Sequence, residues 1–369
     1  MKLRSSLLLI GALTLSCYTT VSADSRKSGE GLFSLIKTRT ESLKNNKLPD
    51  LAAATSKIAA FYEDHGLWSA SARHYREALD LQEKLGDRAG ASRSVIHLAY
   101  TSLENGDDAA ALRYASSAAE LFSSQGRRDS AASAYVMMAD LHRDLGNFQK
   151  AESLILHRAL PMYRGAGNVR GRIKCFRSLG NTYRRQKRYS EAKWFFIQEN
   201  MQARELRNNP GIINSLTGLA SVKNDINDLD LAIADLKEAE KLAHASGNSP
   251  ALADIHQVYA LIYQKAGDAG NAKKYTDLAS ASRQRARASR NEKRSVGLEQ
   301  IRETEERVLK AEAAERQIQR NVPLVKKETV LSVDAPPPAK AVSFAVVWSV
   351  ITSLLILYIA RAVVMRAKI

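Results

Sequence analysis

The sequence predicts an all-α protein: a right-handed superhelical array of helical hairpins, then one long helix and one C-terminal transmembrane helix. Three observations predict it. The turn residues Gly66, Gly106, Gly146, Lys187, Asn227 and Gly267 follow one another at spacings of 40, 40, 41, 40 and 40. Small residues stand at fixed distances from these turns. A run of 20 uncharged residues lies between Lys340 and Arg361, near the end of the chain. The composition is compatible: 369 residues, 45% apolar, with only 8 prolines and 19 glycines, which excludes a collagenous or low-complexity chain.

Taken in order, residues 1–23 read as a secretory leader. Lys2 and Arg4 precede the apolar run Leu7 to Leu15, which is short for a membrane span, and Val21-Ser22-Ala23 supplies the small residues before a cleavage point. A lipid-bearing Cys17 and an uncleaved anchor remain open as alternatives. Residues 24–50 contain one amphipathic helix over 30–46, carrying Leu32, Phe33, Leu35, Ile36 and Leu43, which Pro49 is expected to end. It is read as a cap on the first hairpin.

Residues 51–285 hold six repeats. Five residues after each turn stand Ser71, Ala111, Ala151, Ala192, Ala232 and Ala272; seven before it stand Ala59, Ala99, Ala139, Gly180, Ala220 and Ala260. Two antiparallel helices approach closely only where small side chains face each other. Twelve residues after the turn, Ala78, Ala118, Ala239 and Ala279 are small again, while Arg158 and Glu199 depart. Gly and Asn suit a left-handed turn. Lys187 does not, so an altered turn is expected there. One hairpin cannot bury its apolar face, so the units stack.

These residues resemble tetratricopeptide repeats in their longer form of about 40 residues. The stretch Ser178-Leu179-Gly180-Asn181-Thr182-Tyr183 with Arg188-Tyr189-Ser190-Glu191-Ala192 carries the resemblance best. The order of leader, repeats, long helix and membrane helix is similar to the input half of bacterial sensor proteins. The resemblance implies a fold; it does not imply a particular ligand.

Residues 286–322 continue as a long helix. Ile301, Thr304, Val308, Ala311, Glu315, Ile318 and Val322 follow a 3-4 spacing, but four of the seven are strongly apolar. A parallel dimeric coiled coil, giving a homodimer, and a solvated helix resting on the last repeat are both open. Residues 323–340, with Pro323 and Pro336-Pro337-Pro338, read as a linker. Residues 341–360 are long enough to span a bilayer, and 361–369 with Arg361, Arg366 and Lys368 form a cytoplasmic tail. The expected location is therefore the cell membrane, single-pass, with the repeats on the periplasmic side.

The net charge of +16 invites a nucleic-acid reading, but it is not spread evenly. Residues 51–160 sum to −2, residues 161–210 to +9 and residues 211–280 to −3. On the helix over 173–186, Lys174, Arg177, Asn181 and Arg184 share one stripe, and Asn214, Thr217 and Ser221 lie on the equivalent stripe of the next hairpin. Asp140 and Arg143 belong to the previous one. The resemblance implies that this face binds an extended peptide, with Arg177 and Asn181 in contact and Lys174, Arg184 and Asn214 supporting. Arginine supplies a planar fork for carboxylate, and asparagine can hold both an N–H and a C=O. The expected partner is a protein or peptide bearing acidic groups. A solvated stripe with no ligand is the plain alternative. Nucleic acid is not expected, since the block lacks a groove-reading motif.

No HExxH, Walker or CxxC motif occurs, so neither catalysis nor a cofactor or metal is expected. Gly165, Gly167 and Gly171 lie between helical repeats and not after a strand. The mature chain retains Cys175 alone, so it has no intramolecular disulfide, and Cys175 reads as a small buried hydrophobe. His142 and His157 read as packing or surface residues. The function expected is a membrane-anchored, extracytoplasmic scaffold. The runner-up is a sensory input module acting through a separate transmembrane partner or kinase.

Overall fold

The structure is a computed structural model that describes residues 31–321, with side chains to 317. Every regular element among the described residues is helical. Helix α1 covers residues 31–44. Then come α2 (Leu48–Asp64), α3 (Trp68–Lys84), α4 (Arg88–Glu104), α5 (Asp108–Ser124) and α6 (Arg128–Asp144). The third hairpin's second helix is divided: α7 (Phe148–Leu154), a π-helical turn (Ile155–Ala159) and α8 (Leu160–Gly165). The array continues with α9 (Val169–Arg185), α10 (Tyr189–Glu205), α11 (Asn209–Asp225), α12 (Leu229–Ala245), α13 (Ser249–Lys265) and α14 (Ala269–Asn321).

One local motif builds all of this. Each three-residue turn has a central residue with positive φ, and these twelve residues, from Asn46 to Gly267, recur every 20 positions except for one step of 21 between Gly146 and Gly167. The turns within and between hairpins are thus alike. In each, the N–H of the positive-φ residue bonds three residues back and the next N–H bonds five residues back, as in Gly66 to Glu63 (2.9 Å) and Leu67 to Tyr62 (2.8 Å). This pairing satisfies the last carbonyls of the helix. The following residue often caps the next helix: Asp87, Asp107, Asn168, Asn208 and Asn248 each accept from a backbone N–H three residues on.

Lys187 adopts φ 62° and makes the same two hydrogen bonds, to Arg184 (2.9 Å) and, through Arg188, to Tyr183 (2.9 Å). The altered turn expected there does not occur, because the Schellman bonds fix the backbone whatever the side chain. Pro49 also acts differently from expectation: α1 ends at the turn containing Asn46, and Pro49 lies in the first turn of α2. Proline is tolerated there because that N–H has no intrahelical partner.

The 21-residue step coincides with the π-helical turn, which takes up one extra residue. Pro161 lies two residues beyond it and has no N–H to return to His157. The insertion explains the departure of Arg158. Arg158 is exposed, and its neighbour Ala159, wholly buried, occupies the small-residue position instead. Ala59, Ala78, Ala99, Ala111, Ala118, Ala139, Ala151, Ala192, Ala220, Ala232 and Ala239 are likewise buried without residual exposure. In the middle of the array α6 packs on α9, α9 on α11 and α11 on α13. The first helices of the hairpins therefore line the inner face of the solenoid.

Helix α14 is 53 residues long, about 80 Å, and runs unbroken through residue 286, where the last repeat was expected to give way. It has two separate buried stripes. Ala279, Ser282 and Ala286 pack on the last hairpin side, where Arg283 donates to Gln257 of α13 (2.7 Å). Residues 287–295 are exposed all round, about 14 Å of helix. Then Gly297, Gln300 and Thr304 are buried again, and a Cβ on Gly297 would stand 2.6 Å from the His65 side chain at the end of α2. Helix α14 thus links the last hairpin to the first. Ile301 and Thr304 of the 3-4 stripe are half-buried and buried within this same chain.

The leader at 1–23 and the linker, span and tail at 323–369 lie outside the described residues. No helix among the described residues is long and apolar enough to cross a membrane.

Candidate functional site

The inner face of α9 is the centre of the candidate site. Residues 174, 177, 181 and 184 fall on one stripe of a straight 17-residue helix, and Asn168 caps its start. The opposite stripe, Ile173, Cys175, Phe176, Leu179 and Tyr183, is core. Burial pushes the Cys175 thiol up to about 12, so it remains a packed thiol. The structure brings all five expected residues to the inner groove. Lys174, Arg177 and Asn181 line a cavity of 400 Å³ shared with Tyr100, Met137 and Asp140. Arg177, Asn181, Arg184 and Asn214 line a smaller one of 160 Å³ with Thr217 and Asp254. Lys174 and Arg177 also border a third, of 630 Å³, against Asn208 and Pro210 at the start of α11. Arg177 adjoins all three.

Their electrostatic state is not uniform. The Arg177 Nε–H donates to Glu199 Oε1 on α10 at 2.8 Å, and the Glu199 side chain has no solvent exposure. Burial drives the Glu199 carboxyl up to about 7, against the opposing pull of Arg177. The second carboxylate oxygen of Glu199 has no hydrogen-bond partner. The contact uses Nε, and the terminal amino groups of Arg177 make no hydrogen bond among the described residues. Arg184 is held by Asp225 of α11 through Nε (2.7 Å) and Nη2 (3.4 Å). Lys174, Asn181 and Asn214 make no side-chain hydrogen bond or ion pair among the described residues. Asn181 and Asn214 are half-buried in the groove. Unpartnered amides in such a position favour a ligand that offers both a donor and an acceptor.

On the neighbouring α6, Asp140 accepts from Ser178 Oγ (2.8 Å) and from Arg143, and burial raises its carboxyl above the ordinary range. Part of the basic block is paired with other repeats. Arg185 reaches Asp144 (3.2 Å), Arg188 reaches Glu152 (3.3 Å) and Arg204 reaches Glu238 (2.8 Å). Sequence reasoning missed these acids and Glu199. The one signal available was Glu199 in the place of an alanine. It also missed a cavity of 590 Å³ in the first two hairpins, lined by Ser56, Tyr75, Gln82, Ser94 and His97. His142 is buried and His157 exposed.

Comparison with known proteins agrees with this architecture. Residues 22–179 match the family soluble NSF attachment protein, SNAP. No curated protein matches the chain significantly by sequence. Among solved structures, a Rap protein complexed with competence and sporulation factor is similar at a TM-score of 0.54 and 15% identity, covering 73% of this chain and 80% of its own. Aspartyl phosphate phosphatase F from Bacillus subtilis gives 0.57 at 11% identity, covering 72% and 73%. A STAND signal-transduction ATPase with a tetratricopeptide repeat sensor, from Pyrococcus horikoshii, gives 0.51 at 15% identity, covering 80% of this chain and 50% of that one. At these identities the likeness is one of fold. The repeated hairpins, the shared turn motif and these neighbours together make the chain a helical repeat protein of the tetratricopeptide type.

Proposed function

We propose that this protein is a non-enzymatic scaffold that holds an extended segment of a partner protein in the groove of α6, α9 and α11. The observation that carries this reading is the pair of unpartnered, half-buried amides, Asn181 and Asn214, in cavities that Lys174 and Arg177 also line. Amides of this kind hold peptide backbone, and the two cations select a carboxylate-bearing segment. The tetratricopeptide-type fold and the likeness to a Rap protein bound to another factor support it. Arg184, neutralised by Asp225, supports the wall of the groove.

Photo-crosslinkers at positions 181 and 214 in intact cells are expected to capture one defined partner, while a crosslinker at the exposed Lys193 of α10 does not. Lys174→Glu combined with Asn181→Ala is expected to reduce that capture at least about tenfold without loss of helicity. Equal capture from both faces, or no change in the double variant, overturns the reading.

The scaffold is proposed to be exported by residues 1–23 and anchored by residues 341–360, with the repeats periplasmic and the tail inside. A reporter fused after Ile369 that is active in the periplasm overturns this orientation. The second reading, a sensory input module acting through a membrane-embedded partner, is favoured by the likeness to a repeat sensor. It requires that the captured partner itself cross the membrane.

A further inference from the structure

The geometry points to a binding site for a divalent transition-metal ion, zinc foremost, formed by Glu240, His244 and His256 on the fifth and sixth hairpins, apart from the groove. Glu240 and His244 are four residues apart on α12 and so share one face of that helix. His256 enters from α13, the first helix of the next hairpin. One ligand atom from each of the three lies within 4.8 Å of the others. The His256 Nε2 stands 3.0 Å from Glu240 Oε1, and His244 Nε2 stands 3.9 Å from the same oxygen.

Two features distinguish this cluster from a chance meeting of surface residues. First, the His256 side chain is only 5% exposed, and its Nδ1 is buried without a partner. A buried imidazole is held in this position by the packing of α13, with the Tyr275 ring 6.0 Å away. Second, the ion-pair partners of Glu240 among the described residues are the two imidazoles, with no Lys or Arg among them. A carboxylate 26% exposed with no Lys or Arg paired to it lacks a permanent counter-charge, and a divalent cation supplies one.

Two imidazoles and one carboxylate suit zinc and its neighbours in softness, and not magnesium or calcium, which prefer oxygen alone. Three protein ligands leave at least one position for water. Bound there, the ion would tie α12 to α13 and so hold together the end of the array from which α14 departs. The sequence did not suggest this site, because the third ligand lies on the next helix and no motif spacing joins it to the other two.

The test is titration calorimetry on the chelator-stripped full-length chain with zinc chloride, and with magnesium chloride as the comparison. One equivalent of zinc is expected to bind with a Kd on the order of micromolar or tighter, and to raise Tm as its concentration rises. His244→Ala and Glu240→Gln are each expected to weaken binding at least about tenfold, and the exposed His157→Ala to leave it unchanged. His244 is 60% exposed, so its substitution tests the site even if His256→Ala does not fold. Absence of zinc binding, binding unchanged in both ligand variants, or equal binding of magnesium would mean that Glu240 and His256 form only a hydrogen bond, and the proposal fails.

Discussion

Glu199 stands at a position where Ala78, Ala118, Ala239 and Ala279 fill the close approach of two helices. Replacing a methyl group by a carboxylate at such a site is costly unless a cation reaches it, and Arg177 does so at 2.8 Å. The Arg177 side chain is 35% exposed, so one residue connects the buried acid to the groove. A carboxyl whose pKa rises from about 4.5 to about 7 on folding binds more protons in the folded state over that interval. Its contribution to stability is therefore complete below pH 4.5 and is lost as pH rises through 7. Glu199→Gln is expected to retain the bond from Arg177 and to remove a pH dependence on the order of 3 kcal/mol between pH 5 and pH 8. Thermal melts across that range check this; an unchanged slope would show that Glu199 is ionised throughout. The same pair makes charge reversal at Arg177 a poor probe of binding, since a second carboxylate would face Glu199.

At the scale of one element, α10 depends on two glycines in its neighbours. A Cβ at Gly180 would stand 2.8 Å from the Phe196 ring, and one at Gly218 would stand 2.5 Å from it. Phe196, almost wholly buried, thus fills a slot between α9 and α11 that only glycine leaves open. Gly218→Ala is expected to destabilise by about 1–3 kcal/mol through overpacking, and Phe196→Leu in the same chain to recover part of the loss, as read by chemical denaturation. Gly180 was visible in the sequence as one of the recurrent small residues. Gly218 was not, because it lies off the repeat positions and its role exists only through Phe196.

For the whole molecule, the charge pattern is the most informative feature. Within the block of +9 at residues 161–210, Arg185 and Arg188 pair with Asp144 and Glu152 of the hairpin before it, and Arg184 and Arg204 with Asp225 and Glu238 of the hairpin after it. Exposed pairs of this sort contribute little to stability and more to the register between repeats. Helix α14 shows a second such complementarity. Arg290, Lys293 and Arg294 border a cavity of 400 Å³ with Glu63, Asp64 and Glu104 of the first two hairpins. Because screening weakens contacts between exposed charges, Lys293→Glu with Arg294→Glu, or high salt, is expected to loosen α14 from the first hairpin. Hydrogen exchange should then rise at least about tenfold in residues 287–313 and stay constant in α9–α11; a uniform rise, or none, would show that apolar contact at Gly297 and Thr304 holds the helix alone.

The sequence by itself determined the helical repeat. Small residues every 40 positions and a turn residue with left-handed backbone encode a hairpin locally, through sterics that act within a few residues. It also placed Lys174, Arg177, Asn181 and Arg184 on one face of their helix and Asn214 on the equivalent stripe of the next hairpin, since helical periodicity is local too. Tertiary structure alone decided which of these remain available to a ligand. Arg184 and Asp225 are 41 residues apart, Arg177 and Glu199 are 22 apart, and His256 meets Glu240 across two helices. Pairing of charges depends on distance in space and on burial, and only the packing of helices against one another sets either one.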